Sequence, residues 1–268
     1  MNKFAIKGST LKMIAAVTMI IDHIGASVLQ LLMTQRGILG IAALGIESIL
    51  TLEGVNRNLA ITWWIMRMII GRIAFPIYCY LLVEGFLHTR NVLKYVMRLL
   101  VFAIVSEIPF NLALFQKISE PRYQNVFFTL LLGLIGMWGI AYIEKIVHNK
   151  KDNQKFSEQL CFGLMLIGTL VVLIVTLGTA ELLKTDYGAA GVFFVLCLYF
   201  FRKQKTLQMA VGCVGSLFIL EELTAPLAFL FVAFYQGERG LKLKYFFYCL
   251  YPLHLILLYG VCILMGIV

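Results

Sequence analysis

Apolar runs of about 20 residues, the length needed to cross a hydrocarbon core, recur from one end of this chain to the other. Of its 268 residues 61% are apolar and 14% charged, against roughly 45–50% and 25% in a soluble domain. An ordinary soluble fold is excluded, and a mean hydropathy of +0.89 describes a multi-pass membrane protein. The formal charge of +9 would raise the question of nucleic acid in a soluble protein. Here the basic residues sit in short loops between spans and read as topology signals, so no nucleic-acid partner is expected.

Strong spans run from Met13 to Met33, Tyr95 to Phe115, Val126 to Val147, Leu160 to Leu182 and Tyr245 to Ile267. Leu59 to Phe86 must hold another, although Arg67 and Arg72 interrupt it. Gly188 to Phe201, Leu207 to Leu220 and Leu223 to Tyr235 are shorter, as tilted or broken helices are. Gly37 to Leu52 holds Glu47 and several glycines and reads as re-entrant, interfacial or a further span. The expected fold is all-α: a single-domain transmembrane helical bundle over residues 1–268, with about nine spans, eight to ten as the range. Lys3, Lys7 and Lys12 ahead of the first run resemble a secretory signal, but Asp22-His23 interrupts that run and no small-residue cleavage pattern follows. It is kept as a span.

Nine spans distribute the basic residues unequally. One side takes Lys3, Lys7 and Lys12; Arg90, Lys94 and Arg98; Lys145, Lys150, Lys151 and Lys155; Arg202, Lys203 and Lys205; and Arg239, Lys242 and Lys244. The other takes Arg36, Arg57, Lys117, Arg122 and Lys184. Cytoplasmic loops are the basic ones, which puts the N-terminus in the cytoplasm and the C-terminus outside. The six cysteines, Cys79, Cys161, Cys197, Cys213, Cys249 and Cys262, form no C-x-x-C pair, and no metal site or disulfide framework is expected.

Ionisable groups at bilayer depth are costly, about 2.5–3.5 kcal/mol each on insertion scales, and persist where they pair or work. Asp22 and His23 lie in the first span, Arg67 and Arg72 in the second, Glu84 near its inner end, Glu107 in the third and His254 in the last. Lys12 and His23 are eleven residues apart, on one helical face within about 20° and separated by about 16 Å along the axis. A cation at the mouth and an imidazole deep inside suit a ligand with an anionic head and a reactive tail. The bland alternatives are a snorkelling lysine and a structural hydrogen bond between helices.

Asp22 points about 100° from His23 and is expected to pair with an arginine on another span. Arg72 precedes Ile73-Ala74-Phe75-Pro76, where a proline kink beside a buried arginine can build an anion site. Glu84 and His88 share a face. Glu107-Ile108-Pro109-Phe110-Asn111 is no simple apolar span, and pairing of Glu107 with Arg67 or Arg72 is its structural account. Tyr251 and His254 share a face of the last span, and this second histidine can converge on the first. Gly237-Glu238-Arg239-Gly240 is either a phosphate cradle or a tight turn.

Taken together these segments resemble the TraX family of integral membrane proteins, which takes its name from a protein that N-acetylates pilin. The resemblance runs through Leu11-Lys12 to Asp22-His23-Ile24-Gly25, Arg72-Ile73-Ala74-Phe75-Pro76, Glu84-Gly85-Phe86 with His88-Thr89, Arg98-Leu99 and Ser106-Glu107-Ile108-Pro109-Phe110. It continues through Gln124-Asn125-Val126 with Phe128-Thr129-Leu130, Asp186-Tyr187-Gly188, and Gly237-Glu238-Arg239-Gly240 to Tyr251-Pro252-Leu253-His254. The spacing of a base, ten residues and histidine, Lys12 to His23, is also similar to the signature of the acyltransferase-3 group. Gln236 departs from an expected asparagine before the Gly-x-Arg-Gly turn.

The resemblance implies a bacterial cell-membrane acyltransferase. It would move an acyl group, acetyl as the expected one, from a coenzyme A thioester to an amine or hydroxyl, with acetyl-CoA or another acyl-CoA as donor. The resemblance does not give the acceptor, for which a protein N-terminus, a glycan and a small molecule all stand open. It implies His23 as general base, with Asp22, Glu107 and His254 as further catalytic-site groups. Lys12, Arg72, Glu84, Arg98, Arg239 and Tyr251 are then the donor-binding candidates. The rival class is a proton-coupled transporter or flippase of a polar or anionic substrate, using the same buried charges as a relay.

Overall fold

The computed structural model describes residues 5–152, 157–241 and 244–268. Lys3, Lys155 and Lys242, part of the charge asymmetry, lie outside the described residues. Among those described, every named element is helical. In chain order they are α1 Gly8–Gln35, α2 Leu39–Ala43, α3 Ile46–Leu50, α4 Gly54–Leu87, α5 Val92–Phe115 and α6 Val126–Asp152. There follow α7 Glu158–Leu183, α8 Gly188–Phe200, α9 Lys205–Phe218, α10 Ala228–Ala233 and α11 Lys244–Leu264. Six of them, α1, α4, α5, α6, α7 and α11, are long and apolar enough to cross a membrane, which makes this a polytopic helical membrane protein.

Their ends carry ordinary stop signals. Asn91 caps α5 by accepting from the Lys94 amide at 2.9 Å, and Ser157 caps α7 by accepting from Leu160 at 3.3 Å. Gln116 and Lys184 end those helices in the left-handed conformation, at φ 55° and 53°. The core centres on α8, whose Val192, Phe194, Val195, Leu196 and Leu198 are fully buried between α4, α6, α7 and α9. α7 is the opposite case: Phe162, Ile167 and Ile174 project outward, as lipid-facing residues do.

One open sequence reading narrows, to a segment that does not cross, and one expectation changes. Gly37 to Leu52 forms two helices of five residues each, too short to cross, and caps the end where α1 stops and α4 begins. The spans expected at Leu207 to Leu220 and Leu223 to Tyr235 are the arms of one hairpin, α9 and α10. Lys205, at its start, donates to the carbonyls of Ala233 and Tyr235 at its end. That end lies beside the start of α1: Ile6 bridges to Tyr235, and the Gly8 and Ser9 amides donate to the Glu238 and Arg239 carbonyls at 2.7 and 3.1 Å.

The hairpin tip sits at mid-bundle. Thr224 Oγ1 donates to the Met68 carbonyl at 2.7 Å, and Glu222 accepts from Arg72 at 2.8 Å. Both partners lie near the middle of the 34-residue α4. An arm of 14 residues rises about 21 Å, and the Glu221-Glu222 pair breaks the apolar run where the chain reverses.

α1 and α4 each widen into a π-helical turn, Gly25–Leu29 and Ile65–Ile70, where they pack together. Glycine permits the approach. A Cβ on Gly25 would lie 3.0 Å from Arg67 Cγ, and one on Gly71 would lie 2.2 Å from Asp22 Oδ1. Gly71→Ala should therefore push Asp22 off Arg67 and lower stability by about 3 kcal/mol, read as a lower thermal midpoint in detergent. Gly40→Ala, with nothing within 4 Å, should change nothing. Equal midpoints for the two variants would contradict this packing.

Candidate active site

His23 on α1 and His254 on α11 meet in the interior, with His23 Nδ1 2.6 Å from His254 Nε2. His254 is buried and His23 half-buried. The other ring nitrogen of His254, Nδ1, lies 2.8 Å from the Leu250 carbonyl one turn back. A carbonyl only accepts, so His254 Nδ1 carries a hydrogen and its Nε2 is a lone pair. His23 Nδ1 must then donate to it, leaving His23 Nε2 as the open lone pair. This tautomer is assigned from the network. The two rings are nearly parallel, 10° apart, and the Tyr251 ring stands edge-on to both at 5.7 and 5.6 Å. Tyr251, Tyr248 and His254 share one α11 face, and Phe127 of α6 closes on Tyr251 at 4.9 Å. Below His23, Ser27 donates to the His23 carbonyl at 2.7 Å as the π turn begins.

Beside the pair lies a group of ionic partners. Asp22 accepts from Arg67 at 2.6 Å, bearing out the expected pairing of Asp22 with an arginine of another span. Arg72 is held by Glu222 from the hairpin tip and has the Tyr187 hydroxyl within reach. Tyr187 stacks on Phe75 at 3.6 Å, placing the turn between α7 and α8 against α4. In that turn Asp186 accepts from Tyr123 at 3.0 Å, and burial pushes its carboxyl up to about 6. The loop before α6 is tied to the same turn by a bridge from Gln124 to Thr185.

The other sequence-derived residues separate by position. Glu107 does not pair with an arginine. It accepts from the Asn125 side chain at 2.6 Å, the Asn125 amide at 3.3 Å and Asn111 at 3.4 Å, while Asn125 also donates to the Ala103 carbonyl. Asn125 Oδ1 in turn takes the Phe127 amide, so Glu107 fixes where α6 starts. Arg72, bound to Glu222 at mid-bundle, is far along α4 from the end where Glu84 sits. Glu84 is near Tyr235 and Lys205, and its carbonyl meets His88 Nδ1 at 2.8 Å. Arg98 lies over the Tyr95 and Tyr248 rings at 5.1 and 5.6 Å. Lys12 is half-buried, one turn above the Gly8 and Ser9 amides that receive the Glu238–Arg239 carbonyls. The Gly237–Gly240 loop thus points two carbonyls at the start of α1 and braces it.

Sequence reasoning missed Tyr123, Asp186, Tyr187 and Glu222. Glu222 had a signal, a carboxylate pair in an apolar stretch, but the stretch was divided into two spans with that pair outside them. Asp186 and Tyr187 lay in a motif segment to which no role was attached.

No solved structure matches this chain. It is 28% identical over 220 residues, 70% of its own length and 80% of the relative's, to a protein of Dichelobacter nodosus described as "Probable fimbrial assembly protein FimC, serogroup H1". The family described as "TraX protein" matches residues 7–262, an interval that holds both histidines and all five charged groups around them, and the chain belongs to the TraX family.

Proposed function

We propose that the protein is a membrane acyltransferase in which His23 is the general base and His254 its positioning residue, with a coenzyme A thioester as donor. The observation that carries this reading is the chain from the Leu250 carbonyl through His254 to His23. It leaves a single lone pair, His23 Nε2, with a fixed direction. A base needs that arrangement, and a histidine serving only to join two helices would not need its outer nitrogen kept open.

In the reaction His23 Nε2 takes the proton of the acceptor amine or hydroxyl as that group attacks the thioester carbonyl. Positive charge forming on His23 is shared with His254, because the proton between them can move along the short hydrogen bond. His23 then returns its proton to the departing thiolate. The sum is acyl thioester plus acceptor X–H giving acyl–X plus thiol, with no net proton. Arg67 is bonded to Asp22 through Nη1, but its buried Nε has no hydrogen-bond partner and it lies within electrostatic reach of His23, so that N–H is the candidate oxyanion donor.

The basic-side charges orient the N-terminus to the cytoplasm. On that orientation α1, α4, α5, α6, α7, α8 and α11 cross, and α9–α10 enters from the cytoplasm and returns, which leaves the charge asymmetry unchanged. Lys12, Arg98 and Arg239 then lie toward the mouth where the donor's phosphates would dock. Arg72 has no part there, since Glu222 holds it. The relative named for fimbrial assembly suggests a fimbrial subunit as the acceptor protein.

With acyl-CoA and a panel of amine and hydroxyl acceptors, His23→Ala should lower transfer by about 100- to 10,000-fold. His254→Ala should lower it by about 10- to 10,000-fold, the upper end being the loss seen when the orienting partner of a general-base imidazole is removed. A His23→Ala protein that folds and transfers at the native rate would contradict the reading. Acetyl-CoA should also raise the thermal midpoint of the native protein saturably. Lys12→Ala should weaken that rise and His23→Ala should retain it; no rise at millimolar ligand would favour the transporter class.

A further inference from the structure

Three carboxyl groups and two guanidinium groups converge at the centre of the bundle. Asp22 comes from α1, Arg67 and Arg72 from α4, Asp186 from the turn before α8, and Glu222 from the hairpin tip. They act on one another as a unit: Asp22 and Asp186 both bear on Glu222, and both arginines bear on Asp186. Among the described residues, the other titratable groups facing this unit include Tyr123, Tyr187 and Tyr251, Cys79 of α4, and His23, whose Nδ1 is engaged with His254. With every carboxyl ionised the unit would hold one uncompensated negative charge, away from water and inside a chain built for lipid.

We propose that the unit binds one exchangeable proton at neutral pH, and that Glu222 holds it. Of the three carboxyls Glu222 is the one suited to be neutral. It is 8% exposed, against 19% for the Asp22 side chain. Only one of its oxygens is bonded, to Arg72, and its Oε2 is buried with no hydrogen-bond partner. Asp22 Oδ1 is likewise buried without a hydrogen-bond partner, but Asp22 has Arg67 bound and Arg72 within reach, against one arginine for Glu222, and Asp186 has the Tyr123 hydroxyl. A neutral acid with one oxygen unbonded costs far less than a carboxylate in that condition. The inference requires nothing of the acyl-transfer reading.

The sign of the pH dependence follows. A carboxyl that keeps its proton in the folded state has a folded pKa above its unfolded value. Its stabilising contribution is complete below the unfolded pKa and is lost as pH rises through the folded one. Alkaline pH should loosen the hairpin tip.

The test is infrared difference spectroscopy on protein carrying carboxyl-labelled glutamate in lipid nanodiscs, with Glu222→Gln beside it. The native protein should show a labelled carboxylic-acid band at neutral pH that fades toward about pH 9, and Glu222→Gln should lack it. The variant, isosteric with the protonated acid, should match the native thermal midpoint at neutral pH and lose less of it at alkaline pH. An identical band in both proteins, no such band in the native one, or a native midpoint that climbs with sodium in its absence would each overturn the proposal. If the variant fails to fold, a native spectrum without the band at neutral pH still overturns the proposal.

Discussion

A polar group at bilayer depth must find its partner inside the protein, because lipid offers none. The centre of this structure is arranged around that constraint. Asp22 with Arg67 ties α1 to α4, Arg72 with Glu222 ties α4 to the hairpin tip, and His23 with His254 ties α1 to α11. Tyr123 with Asp186 and Asn125 with Glu107 fasten the loop before α6 to the turn before α8 and to α5. The apolar side chains fill the space between these pairs, but a helix of Leu, Ile and Val can rotate or slide with little loss in lipid. The directional contacts choose one arrangement.

Those contacts also explain departures from regular helix. The π-helical turns of α1 and α4 pack together, the first beginning just after Asp22 and the second containing Arg67, and glycines at 25 and 71 give the two side chains room. The Met68 and Ile69 carbonyls, at the end of the α4 π turn, take the hydroxyl of Thr224. A wider turn leaves carbonyls out of register with the helical ladder, and the hairpin supplies the missing donor.

What could be read from the chain follows from how far each signal reaches. Span length and hydropathy are local, and the six long helices appear where apolar runs predict them. Asp22 facing away from His23 on an ideal helix was enough to expect an arginine partner, and Tyr251 and His254 sharing a face was enough to expect a second histidine near the first. Glu107 was misjudged because its partners, Asn111 and Asn125, are neutral amides that no charge count reveals. The hairpin was misjudged because two short apolar runs separated by carboxylates look alike whether the chain crosses and returns or turns back halfway. Only the partners of Glu222 and Thr224 distinguish the cases, and both lie about 150 residues away in sequence.

The charged unit and the histidine pair sit side by side with different tasks. The first locks α1, α4 and the hairpin tip together with two salt bridges that leave few degrees of freedom. The second is a line of hydrogen bonds with a direction, from an open nitrogen to a backbone carbonyl. Nitrogen-15 NMR of histidine-labelled protein in nanodiscs, with resonances assigned by single substitutions, reads that direction itself. The account predicts that His23 and His254 both carry hydrogen on Nδ1, with coupling between His23 Nδ1 and His254 Nε2 across the hydrogen bond. Hydrogen on His23 Nε2 in the neutral protein would leave no base facing outward and would contradict it.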